Sequence, residues 1–187
     1  MDFAIPISRF ETGNVELVKQ PTNKFSLGFS YKDGQFCNTP ILLVLEPLKV
    51  VFIDWSKHQI NLKEDENYMS FLSKFLAFQK NIHESLGKHA KEWLGESYSE
   101  DMSYFATQPL FKSGILTLYM SSALDSVTYV ADQKEQNFLN ETLQPGDLVR
   151  IVVKLYGVSL QKSESEIWTG KSRIQHSILQ IYKVNHC

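Results

Sequence analysis

Six residues in the last quarter of the chain, Arg150, Lys154, Tyr156, Trp168, Lys171 and Arg173, combine cations with flat aromatic rings. That combination suits one kind of ligand. Lysine and arginine follow phosphates, and an aromatic face accepts a stacked base, worth roughly 1 to 3 kcal/mol per base. In LQPGDLVRIVVKLYGVSL (143–160) strand alternation puts Val149, Ile151, Val153 and Leu155 on one face and Arg150, Val152, Lys154 and Tyr156 on the other. Trp168, Lys171 and Arg173 follow in IWTGKSRIQ, just ahead of the next predicted strand. Gly157 and Gly170 leave the backbone uncrowded beside these groups, open to a sugar-phosphate chain. The pattern assigns Lys154 and Arg173 to phosphates, and Tyr156 and Trp168 to bases. A competing reading packs both rings under the loop and leaves the cations as edge-strand charges that oppose aggregation.

Other chemistry finds little support. No G-x-x-x-x-G-K-[ST] or G-x-G-x-x-G loop occurs, which removes the usual cradle for nucleotide phosphates. His83 and His89 are six residues apart on a predicted helix, about 120° off a shared face, where a zinc pair needs a spacing of four. Cys37 lacks a CxxC partner, His176 reads as a hydrogen-bonded structural histidine, and Asp54 has no evident partner. The sequence therefore predicts no catalytic residue, no metal site and no cofactor.

The elements that must position the six residues follow from composition and period. The 187 residues, 43% hydrophobic and 12% aromatic, suffice for one domain spanning 1–187 with a core that needs no staple. Apolar runs such as 41–45 and 50–53 are too short to cross a bilayer, and the amino-terminal residues MDFAIPISRF lack a secretory signal pattern. With Cys37 and Cys187 alone, an intracellular location is the simpler expectation. The net charge of −2 argues against a coat of basic charge for duplex DNA. Its distribution is uneven: residues 145–187 hold six cations and three acids, a net +3, and the rest of the chain is −5.

Up to residue 62 the chain reads as strands, with Phe25, Leu27, Phe29 and Tyr31 alternating into a Lys32-Asp33-Gly34 hairpin turn. From 64 to 94 apolar residues recur at helical spacing, with Glu64, Asp65 and Glu66 at the start and Gly95 at the end. A short second helix is expected at 97–105, strands at 114–122 and 125–132, a polar connector at 133–144, and two closing strands. The predicted fold is mainly β with one long inserted helix: an OB-like β-barrel plus α, or alternatively a β-sandwich with a helix.

The ordered set TPILLVL, KHAKEWLGESYSEDMSYF and PGDLVRIVVKLYGVSL with IWTGKSRIQHSILQIYKV resembles the single-stranded-DNA-binding OB-fold proteins of large eukaryotic DNA viruses, across residues 24–184. The likeness lies in spacing and residue character. It implies a non-catalytic, sequence-tolerant partner of single-stranded DNA in viral replication or recombination, in host cytoplasm or nucleus. It also implies that the terminal hairpin forms part of a barrel. No acidic recruiting tail is expected after YKVNHC. The other function to weigh is a viral structural or assembly protein that meets protein chains, itself included as a homo-oligomer, through exposed apolar surface.

Overall fold

The computed structural model describes residues 4–34, 36–94, 106–120, 128–131, 134–136 and 143–184. Seven strands come first: β1 (Ile5–Pro6), β2 (Val15–Lys19), β3 (Ser26–Asp33), β4 (Phe36–Asn38), β5 (Ile41–Val44), β6 (Leu48–Asp54) and β7 (Gln59–Glu64). Helix α1 (Leu72–Leu94) follows, then β8 (Ala106–Gln108), β9 (Phe111–Lys112), β10 (Ile115–Tyr119), β11 (Thr128–Ala131) and β12 (Lys134–Gln136). Two long strands, β13 (Leu148–Lys162) and β14 (Trp168–Lys183), close the chain. The protein is mainly β, 52% strand, with one helix among the described residues and an open mixed sheet.

The sheet is ordered β12-β11-β14-β13-β6-β7-β10-β9. Along its length β13 also pairs with β5 and β3, while β8 adds to β14 in parallel. At the far end of the path, β10 returns to β14 through a single parallel bridge, Met120 to Ile178. Among the described residues, a ladder closing the predicted barrel is not found.

The 3.6-residue period of α1 buries Phe71 just ahead of it and then Leu72, Phe75, Phe78, Ile82, Leu86 and Ala90 along one stripe. Phe78 meets Phe29 edge-on at 5.4 Å and Phe10 at 5.9 Å, and Phe10 stacks on Tyr31 at 5.6 Å. Polar clamps fix the helix azimuth. Lys74 Nζ donates to the carbonyls of Ile7, Ser8 and Phe10 at 2.9–3.0 Å, and Asn81 Nδ2 donates to Thr12 O. Gln79 exchanges two bonds with the Phe111 backbone. The helix thus seals one side of the core.

Several expectations shift. The helix starts at Leu72, eight residues after Glu64, because Glu64 ends β7 and its carboxylate caps the helix from outside. Its Oε1 accepts the Phe71 and Leu72 N–H groups at 2.7 Å, and Ser70 Oγ donates to both oxygens. The 133–144 connector contains β12, which pairs antiparallel with β11. The Gly95 terminus and the short helix at 97–105 lie outside the described residues. No helix among the described residues is long and apolar enough to cross a membrane.

Burial pushes the Glu64 carboxyl up, but the Leu72 and Phe71 N–H groups and the Ser70 hydroxyl outweigh it and hold the pKa below the usual value. Its contribution is therefore full above the ordinary carboxylate range and lost as pH falls through the depressed folded value. Glu64→Ala should cost about 1 to 2 kcal/mol in urea unfolding at neutral pH, and less in acid.

Candidate nucleic-acid interface

The long hairpin carries every site residue predicted from sequence, so its register decides which of them meet. Outward parity holds from Arg150 to Tyr156, with Val149, Ile151, Val153 and Leu155 all fully buried. A bulge between Leu155 and Gly157 then shifts the pattern, and Val158 and Leu160 take the core positions. Past the bulge Ser159 faces out and lies opposite Arg173. Ser159 also pairs with Ser26 on β3, and Arg173 with Gln108 on β8. Ser26, Ser159, Arg173 and Gln108 consequently form one row that runs across four strands.

Two open concavities flank that row. One, of about 530 Å³, is lined by Lys171, Arg173, Ser159, Gln161, Thr107 and Gln108 among others. The second, of about 470 Å³, is lined by Tyr156, Ser159, Arg173, Ile174, Gln175 and His176. Ser159 and Arg173 belong to both, so the two concavities adjoin. Lys171 and Arg173 are exposed, and among the described residues no carboxylate forms an ion pair with either. The Arg173 guanidinium sits 4.5 Å from the centroid of Tyr119, an arrangement that leaves its edge donors available.

Of the six predicted residues, Tyr156, Lys171 and Arg173 line these concavities. Lys154 is next to them, its ammonium 5.0 Å from the Tyr156 ring, whose hydroxyl lies 3.0 Å from Ser177 Oγ. Arg150 is elsewhere, at the other end of the strand and 3.5 Å from Glu46.

Trp168 requires a correction. Only 4% of it is exposed, and its indole N–H donates to the Lys171 carbonyl at 2.8 Å, so its face is not open to a base. Trp168, Gly170, Ser172 and Ile174 share the inward parity of β14, and Gly170 at φ +83° bends the chain so that the bond can form. The glycine expectation changes as well. A Cβ on Gly157 would lie 1.8 Å from Leu27 O, so its missing side chain serves close packing of β3 on β13. Gly170 is buried. Asp54, expected to be unpartnered, accepts from Ser56 and caps the turn at Lys57.

Tyr119 is a site residue that the sequence reading missed. The parity of Ile115, Thr117 and Tyr119, opposite the buried Leu116 and Leu118, was the available signal.

His176 lies behind Arg173, against the Tyr119 ring at 5.7 Å. The Tyr119 N–H donates to His176 Nε2 at 2.9 Å, while Nδ1 lies 3.2 Å from Ile174 O and therefore carries the proton. This bond supplements the single bridge between β10 and β14. Burial pushes the His176 pKa down to about 4; the Ile174 carbonyl opposes this and the Arg173 charge adds to it.

Compared with known proteins, the chain matches no family model and no curated protein.

Since the folded pKa lies below the ordinary 6.5, the stabilisation from neutral His176 is complete above about pH 6.5. It is lost as pH falls to about 4, over which span roughly 3 kcal/mol should disappear. Unfolding at a series of pH values checks this: His176→Gln should flatten that slope, and an unchanged slope would deny the buried neutral imidazole.

Proposed function

We propose that the chain is a non-catalytic, sequence-tolerant single-stranded nucleic-acid binding protein that takes DNA and acts in viral DNA replication or recombination. One observation carries the binding part of this reading. Lys171 and Arg173, two cations without a carboxylate partner among the described residues, flank adjoining concavities that also hold Tyr156, with Tyr119 under the guanidinium. Cations lining an open concavity with aromatic rings beside them are what a single strand requires. The polar row from Ser26 to Gln108 adds neutral hydrogen-bonding groups, which suits a ligand read by its backbone more than by its bases.

The viral role and the choice of DNA rest on the resemblance of residues 24–184. The OB-like form of the proposal rests on strand order. β6 pairs with β7 and β7 with β10; β10 touches β14 in parallel; β14 pairs with β13, and β13 with β6. That sequence of neighbours is a five-strand cycle whose one weak link is the Met120–Ile178 bridge, in keeping with a partly open five-stranded barrel.

A second reading, assembly with protein chains, has its own support. The bulge between Val50 and Phe52 turns Val51 and Phe52 outward, 40% and 51% exposed. Sedimentation of the purified chain would reveal self-association through such a patch.

Fluorescence anisotropy with labelled oligo-dT tests the main proposal. Binding should weaken with rising salt by about 0.7 log units per log unit for each phosphate neutralised. Lys171→Ala and Arg173→Ala should each reduce the slope by about that amount. Trp168→Phe should leave oligonucleotide affinity nearly unchanged, since its role is internal. A flat salt response in the wild-type chain would sink the proposal.

A further inference from the structure

The interface does not end at the two concavities. On the far side of Ser159, Ser26 Oγ donates to Gln175 Oε1 at 3.4 Å, joining the second concavity to a third of about 350 Å³. Lys19 at the end of β2, Asn23 and Lys24 in the β2–β3 connection, and Ser26 at the start of β3 line this third one. At its border the Phe25 ring has Lys24 Nζ at 5.0 Å and Lys162 Nζ at 5.8 Å. Lys162 comes from the end of β13, which the Leu160 N–H to Phe25 O bond fastens to this place. Two cations from distant parts of the chain thus converge on one ring.

A third charged group joins them. Glu166, in the turn between β13 and β14, puts Oε1 3.0 Å from Lys162 Nζ, and both side chains remain more than half exposed. Its backbone takes the left-handed conformation, φ 56°, inside a turn closed by Glu166 N to Ser163 O and by Ser163 N to Ile167 O. The Lys162 ammonium, through its hydrogen bond first and its charge second, and then Lys24, hold the Glu166 carboxyl below the usual range. The carboxylate is therefore an internal anion where two cations face the end of the concave row.

We infer that Lys24 and Lys162 form a further phosphate subsite of the single-strand interface, and that Glu166 occupies it as a displaceable competitor in the unbound protein. This rests on the nucleic-acid reading above. A phosphodiester entering the subsite replaces the carboxylate on Lys162, so the turn charge sets how tightly the end of the strand is held. The four interstrand steps from β2 to β8 span about 19 Å, room for roughly five or six nucleotides at the stacked spacing of 3.4 Å.

Removal of the competitor supplies a gain-of-binding test that misfolding cannot imitate. With labelled oligo-dT of about 12 nucleotides, Glu166→Gln should raise affinity about two- to fivefold at low salt. It should steepen the salt slope by about 0.7. The double variant Lys24→Ala/Lys162→Ala should reduce the slope by about 0.7 from the wild type and by about 1.4 from the Glu166→Gln background, and abolish the effect of Glu166→Gln. If both changes leave binding as in the wild type while Arg173→Ala weakens it, the subsite is wrong and the interface stands. If Arg173→Ala and Lys171→Ala are also without effect, the nucleic-acid reading itself falls.

Discussion

The hydrogen-bonding edges of β13 constrain everything else. One edge is committed to β14 for nearly the whole strand, while the other serves β6, then β5, then β3 in succession. Three partners on one edge cannot lie in a flat arrangement, and the ribbon answers with register shifts at Val152/Val153, Leu155/Gly157 and Leu160/Lys162. The middle shift changes which side chains of β13 face the core. The site exists because the middle shift exposes Ser159 beside Arg173 at the point where β3 has replaced β5 as the neighbour. Gly157 is obligatory there, since any side chain would strike the Leu27 backbone.

The same constraint explains what was legible in the sequence. Alternation from Val149 correctly gave Arg150, Lys154 and Tyr156 an outward direction, because no bulge in that stretch alters the parity of those positions. The inward direction of Trp168 is also written in parity: counting back from Ile174 through Ser172 and Gly170 puts it inside, with Lys171 and Arg173 outside. The helix start is not legible in this way. Three successive acids look like a helix amino terminus, but only Glu64 acts as one, from a strand end, by reaching Phe71 and Leu72. A cap made across a connecting turn leaves no local spacing to read. Tyr119 and the Ser26 row depended on strand pairing, which residue order alone does not encode.

Electrostatics separates the six cations of 145–187 into different classes. Arg150 faces Glu46, Lys183 faces Asp147 and Lys162 faces Glu166, so their fields are partly cancelled at short range. Lys154, Lys171 and Arg173 have no such carboxylate among the described residues, and the last two are consecutive outward positions of one strand. A slightly acidic chain thereby keeps a local positive field. This is compatible with the net −2, because charges beyond a Debye length of about 8 Å at physiological salt contribute little.

His176 couples this field to the fold. A protonated imidazole there would add a third positive charge behind Arg173, and it would turn Nε2 from an acceptor into a donor facing the Tyr119 N–H. Both consequences are unfavourable, so burial and the neighbouring guanidinium act together to keep the ring neutral. Neutrality in turn preserves the bond between β10 and β14, where among the described residues the sheet has one bridge and no ladder. Tyr119 is held by that bond on its backbone and lies beneath Arg173 with its ring. The cation at the centre of the site is therefore oriented by the residue that fastens the weakest junction of the sheet, and loosening this junction must disturb the guanidinium before it reaches the core.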